Sequence, residues 1–141
     1  LIELLVVIAL MALVVGLVPI AFGRLHESAQ YRDTVRAVLT DLRAARQQAQ
    51  SQGAETRFAV DLRARSFGVE GGPQREVPEP LTLRAVMAAE TADADGRLAI
   101  SFLPRGGASG GSVDLIRPSG SGVRLRVDWF TGRVEQEAIE P

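Results

Sequence analysis

The chain has 141 residues, 16 of them basic and 17 acidic, for a formal net charge of −1, and it has no cysteine. That length holds one modest domain, and the charge balance leaves no basic excess to attract nucleic acid. Without cysteine, disulfides and thiolate metal sites are excluded, and every basic residue is arginine.

The chain opens on an apolar stretch in which Glu3 is the one charge before Arg24. A helix of about 20 such residues spans a hydrocarbon core of roughly 30 Å. The run from Leu4 to Gly23 is apolar on every side, so lipid is the solvent it suits. A cleavable signal peptide would show a basic n-region and a small-x-small cleavage site. Neither is visible, and the segment reads as a retained anchor. A carboxylate at Glu3 costs about 1–3 kcal/mol in that setting. Two readings stay open: Glu3 snorkels into the headgroups from a frayed end, or another molecule supplies it with a cation. Gly16 and Pro19 interrupt the run, because proline removes a backbone donor and clashes with the preceding turn. A kink or a locally melted turn is predicted between Gly16 and Gly23, with or without a functional role.

From Arg24 to about Gln52 the helix is predicted to continue with a different pattern. Tyr31, Val35, Val38, Leu42, Ala45 and Ala49 recur at helical spacing and form one narrow apolar stripe. Arginine, aspartate and glutamine fill the other faces. Such a stripe needs a cover, and its shrinking side chains suggest close approach to a sheet. Gly53 is a suitable stop. The whole helix would be about 75–80 Å long.

After Gly53 the period becomes two. Phe58, Val60 and Leu62 alternate with polar or small residues, and Arg63-Ala64-Arg65 reads as the turn of a hairpin leading to Phe67 and Val69. Gly71 to Pro80 is a predicted loop. Leu81, Leu83 and Val86 suggest a third strand, and Ala88 to Gly96 an acidic loop. Leu98, Ile100 and Phe102 alternate, as do Val123, Leu125, Val127 and Trp129; Val113 and Leu115 lie between them. A short last strand is predicted near Arg133–Glu135. Six or seven strands with short glycine-rich turns imply antiparallel pairing. The expected fold class is α+β, one long helix on one or two antiparallel sheets. The parts are 1–23 (membrane half of the helix), 24–52 (amphipathic half) and 53–141 (β domain). The face Val35, Val38, Leu42, Ala45 and Ala49 should oppose Phe58, Val60, Ile100, Phe102, Leu125 and Val127.

Candidate chemistry is thin. Gly106 to Gly111 lacks the Lys-Ser/Thr of a phosphate loop and leads into a strand, so it reads as a strand connection. Asp93-Ala94-Asp95-Gly96 resembles half of a calcium loop, but Phe102 stands where the bidentate glutamate belongs. The single histidine, His26, follows the membrane segment and has no triad to join. No catalytic residue, cofactor or metal is expected. Arg124 and Arg126 share one strand face, and Arg133 follows Gly132; these are the places where a nucleic acid could bind.

Leu1-Ile2-Glu3-Leu4-Leu5-Val6-Val7-Ile8-Ala9-Leu10 resembles the start of mature type IV pilins and pseudopilins. In that family an N-methylated Phe and a Thr precede the Leu-Ile-Glu, after a basic leader removed by prepilin peptidase; this sequence starts two residues inside the motif. The region from Ile100 to Val113, followed by Val127-Asp128-Trp129-Phe130-Thr131-Gly132-Arg133-Val134, is similar to the H-type minor pseudopilins of type II secretion. The resemblance implies a type IV pilin-like fold and pairing of Glu3 with a neighbouring subunit's terminal amine. It also implies a melted turn near Pro19 in filaments. The implied partners are other major and minor pseudopilins, an inner-membrane assembly platform and the prepilin peptidase. Arg24 alone would place the domain in the cytoplasm. The basic leader implied by the resemblance reverses that orientation, giving a single-pass inner-membrane protein with a periplasmic domain. Alternatives are a minor type IV pilin acting in pilus assembly or DNA uptake, and an unrelated membrane-anchored periplasmic enzyme or binding domain. Related DNA-binding minor pilins carry Gly-Arg-x-Arg near this end. Here Glu135 replaces the second arginine in Gly132-Arg133-Val134-Glu135, and phosphate would repel it.

Overall fold

A computed structural model describes residues 1–87 and 95–141, without the side chain of Ala21. Most of the acidic loop expected at Ala88 to Gly96, including Asp93 and Ala94 of the half calcium loop, lies outside the described residues.

Helix α1 (Ile2–Gln52) runs unbroken for 51 residues. It passes through Gly16 and Pro19 with α-helical hydrogen bonding on both sides in the isolated chain. Pro19 deletes one donor, and the turns on either side keep theirs. The helix stops at Gly53, whose φ of 63° and ψ of 28° form a left-handed cap that glycine adopts without a Cβ clash.

Eight strands follow: β1 (Thr56–Asp61), β2 (Ser66–Val69), β3 (Arg75–Glu76), β4 (Thr82–Met87), β5 (Arg97–Phe102), β6 (Gly111–Ile116), β7 (Gly122–Val127) and β8 (Val134–Ile139). They form two four-stranded sheets, ordered β3-β2-β1-β5 and β4-β6-β7-β8, with antiparallel pairing throughout. The β1–β2 hairpin turns where Arg63-Ala64-Arg65 predicted. Its turn is held by the Asp61 carboxylate, which accepts from the amides of Arg63 and Ala64, both at 3.0 Å. Those amide bonds, the one from Ala64 foremost, hold the Asp61 carboxyl below its usual range.

The two sheets and the helix share one core. Val38, Leu42, Ala45 and Ala49 of α1 are fully buried in it, with Phe58 and Val60 of β1, Ile100 and Phe102 of β5, and Leu125 and Val127 of β7. The helix lies chiefly on β1, β2 and β5 of the first sheet and reaches the second at β8. Leu125 and Val127 therefore close the core from the other sheet. The stripe is turned slightly from the expected one. Val35 is only partly buried, and Thr34 takes the inner place. Its hydroxyl donates to the Gln30 carbonyl at 2.7 Å, which satisfies the polar group within the helix and lets the methyl face inward.

The strands depart from expectation at several points: Leu62 falls beyond the end of β1, and the last strand runs on from Val134 to Ile139. β3 falls inside the stretch expected as loop. Val86 sits on the outer face of β4, 66% exposed, while Leu81 just ahead of the strand is buried. Trp129 lies beyond β7 and is 68% exposed, because Asp128 ends the strand by accepting from the Phe130 amide and the Thr131 hydroxyl.

Candidate functional site

The N-terminal half of α1 has no cover. Leu4 to Ile20 carries its large apolar side chains in the open, and the apolar window long enough to cross a membrane has no buried residue. Leaving so many apolar side chains in water is untenable at about 25 cal/mol per Å². This half therefore requires lipid or other apolar helices around it. Glu3 stands in the first turn, where a negative charge complements the exposed amides of the helix start. Among the described residues no cation lies within ion-pair distance of it.

Below this bare half the domain is fastened to the helix by a residue that sequence reasoning passed over. Arg117, in the β6–β7 turn, donates through Nε to Glu27 Oε1 and through Nη2 to Ser28 Oγ, both at 3.2 Å. Its guanidinium also sits 5.2 Å from the centre of the Tyr31 ring. Burial raises the Tyr31 phenol above its ordinary value, and nearby Arg117 partly offsets that. The residues lie 86 or more positions apart in sequence, so only tertiary structure brings them together.

The arginines weighed as a nucleic-acid surface are occupied. Arg124 forks onto Asp114 at 2.9 and 3.0 Å, and Arg84 approaches the same nearly buried carboxylate at 3.5 Å. Arg126 bridges Glu135 and Glu137, each at 2.9 Å. Glu135, the residue that departs from the Gly-Arg-x-Arg pattern, thus neutralises a cation on the adjoining strand. Arg133 stands apart and exposed.

The glycine-rich connection is not an anion cradle. Its backbone is spent internally: Leu103 N donates to Gly107 O, Ser109 N to Ser101 O, and Ala108 N to Trp129 O, at 2.8–2.9 Å. His26 is exposed. Among the described residues no group of three side chains could hold a metal ion.

At the helix end far from the bare half, the β7–β8 turn (residues 128–133) rests on α1. Arg46 Nη2 donates to the Thr131 carbonyl at 3.3 Å. Gly132 adopts φ of 71°, and a Cβ there would come within 2.8 Å of the Gly106 carbonyl, so glycine is required. Thr131 Oγ1 and the Phe130 amide bind Asp128, the hydroxyl contributing most, and together they hold its carboxyl below the usual range. Trp129 and Phe130 project from this turn, their rings edge to face at 5.6 Å, and remain about 70% exposed.

Comparison with known proteins agrees with this arrangement. A family profile described as Type II transport protein GspH matches residues 34–132. Type II secretion system protein H of Xanthomonas campestris pv. campestris is 33% identical over 136 residues, covering 95% of this chain and 79% of that protein. The minor pseudopilin EpsH from the Type 2 Secretion System of Vibrio cholerae superposes with a TM-score of 0.60 at 13% identity, covering 77% of this chain and 97% of that one. That likeness establishes a shared fold.

Proposed function

The chain belongs to the Type II transport protein GspH family, and on that premise we propose that it is a minor pseudopilin. It is a structural subunit of the type II secretion pseudopilus, which helps move folded proteins from the periplasm across the outer membrane. The observation that carries this reading is the division of α1. One half is buried against its own sheets, and the other is bare, apolar and long enough to cross a membrane. A helix of that kind has two homes, a bilayer before assembly and a bundle of like helices after it.

The protein works by assembly and not by catalysis. The anchor holds it in the inner membrane with residues 24–141 in the periplasm. Its partners are the other major and minor pseudopilins, the inner-membrane assembly platform and, for maturation, the prepilin peptidase. Glu3 takes its cation from a neighbour's terminal amine, and that pair guides the helix out of lipid into register. Extraction into a filament melts the turn between Gly16 and Gly23, where Pro19 has already removed one hydrogen bond.

Removing the protein from cells should trap the folded secreted proteins in the periplasm, and re-expression of the full chain should restore export. Normal export together with lost pili or lost DNA uptake would instead identify a minor type IV pilin.

A further inference from the structure

At the end of α1 farthest from the membrane, three arginines converge without a carboxylate among them. Arg43 and Arg46, on adjacent turns of the helix, line a groove with Arg133 at the end of the β7–β8 turn, and Gln47 and Gln50 complete this groove of about 590 Å³. Among the described residues, seven other arginines around the sheets are matched: Arg57, Arg75, Arg84, Arg97, Arg117, Arg124 and Arg126 each lie within 4 Å of a carboxylate, whereas Arg63, Arg65 and Arg105 stand singly, away from this cluster. Inside the groove Arg46 spends one amino group on the Thr131 carbonyl, and its Nε is buried with no partner. A buried donor left unmade costs about 1–3 kcal/mol. In the isolated chain the Arg46 guanidinium is therefore incompletely satisfied.

We infer that this groove binds a carboxylate of the neighbouring pilin-like subunit. The inference rests on the assembly role proposed above. A carboxylate fits because a guanidinium fork donates two parallel hydrogen bonds to its oxygens, and the glutamine amide N–H groups can donate further ones. A nucleic-acid backbone fits poorly. Arg124 and Arg126, which could have extended a basic track, are neutralised, and Glu135 and Glu137 stand on the strand that follows Arg133. The location suits a subunit contact, because the groove and the bare helix lie at opposite ends of the molecule. The N-terminal half engages neighbours in the core, and the groove engages one at the outer end.

The sequence contains no lysine, which makes a direct test available. In the full-length chain, co-expressed with the other pseudopilins of its system, Arg43→Lys and Arg133→Lys each place a lysine in the groove, with no other among residues 1–141, while keeping the charge. A zero-length carbodiimide then joins that amine only to a carboxylate it already touches. The expected result is a cross-link to a co-expressed subunit about tenfold above that of Arg63→Lys, on the distant hairpin turn. Yields equal to the Arg63→Lys control, with wild-type chain still co-purifying with those subunits, overturn the groove and spare the assembly role. Failure of the wild-type chain to co-purify overturns both. If a duplex of about 30 base pairs binds at about 150 mM salt and Arg43→Glu with Arg133→Glu abolishes that binding, the groove belongs to nucleic acid instead.

Discussion

Leu10 and Leu42 occupy the same continuous helix, yet one is 57% exposed and the other wholly buried. The amino acid is the same and so is the backbone; only the cover differs. Around Leu42 the chain supplies its own solvent, the inner faces of two sheets. Around Leu10 it supplies nothing, so that half is unfinished until lipid or neighbouring helices surround it. A helix that is stable at one end and incomplete at the other is what a subunit that moves from membrane to filament requires.

The sharpest way to break this contrast is to shorten the two leucines. Leu42→Ala in the full chain in detergent should cost about 2–5 kcal/mol, from lost transfer energy plus a cavity in the core. Leu10→Ala should leave domain unfolding unchanged within about 0.5 kcal/mol, because Leu10 lies in the bare half of α1, outside the core. Thermal unfolding followed by circular dichroism reads both, and a comparable loss from Leu10→Ala would mean the halves are coupled.

A smaller effect tests the assignment of faces within the covered half. Arg43→Ala, one residue from Leu42 and exposed, should cost under about 1 kcal/mol. A melting shift equal to that of Leu42→Ala would place the wrong side of the helix against the sheet.

The smallest effect is acid sensitivity in the turns that support the covered half. Asp61 and Asp128 both have lowered carboxyl pKa values in the folded chain. Their contribution is present above the unfolded value of about 3.9 and is lost as pH falls through the lower folded values. Asp128→Asn should thus flatten the fall in melting temperature below about pH 4 and leave the slope near pH 7 unaltered. An unchanged acid limb would show that the Thr131 and Phe130 bonds do not favour the charged form.

How far the sequence revealed this molecule depends on how local each feature is. Period and punctuation are local, so the helix stop at Gly53, the Arg63–Arg65 turn and the buried alternation of Phe58 with Val60 were all readable. β3 was not, because two residues between Pro73 and Val77 are too short to carry a period. Trp129 continued the alternation of β7 by one residue, and the pattern could not register that Asp128 turns the chain away. Thr34 was overlooked because its burial depends on a hydroxyl bond back to Gln30. The latch at Arg117 and the unpaired group of Arg43, Arg46 and Arg133 join residues far apart in sequence, and their only sequence signal was an arginine in or beside a turn.

The central claim is that the bare half of α1 is an assembly element, and Glu3 is where it is most exposed to test. Glu3→Gln keeps the size of the side chain and removes its charge. The measurement is the amount of full-length chain co-isolated with the other pseudopilins from solubilised membranes, normalised to the amount inserted. The account predicts normal insertion and co-isolation reduced about tenfold or more, as loss of a desolvated charge pair requires. Co-isolation of Glu3→Gln at the wild-type level would contradict it and return Glu3 to the headgroups.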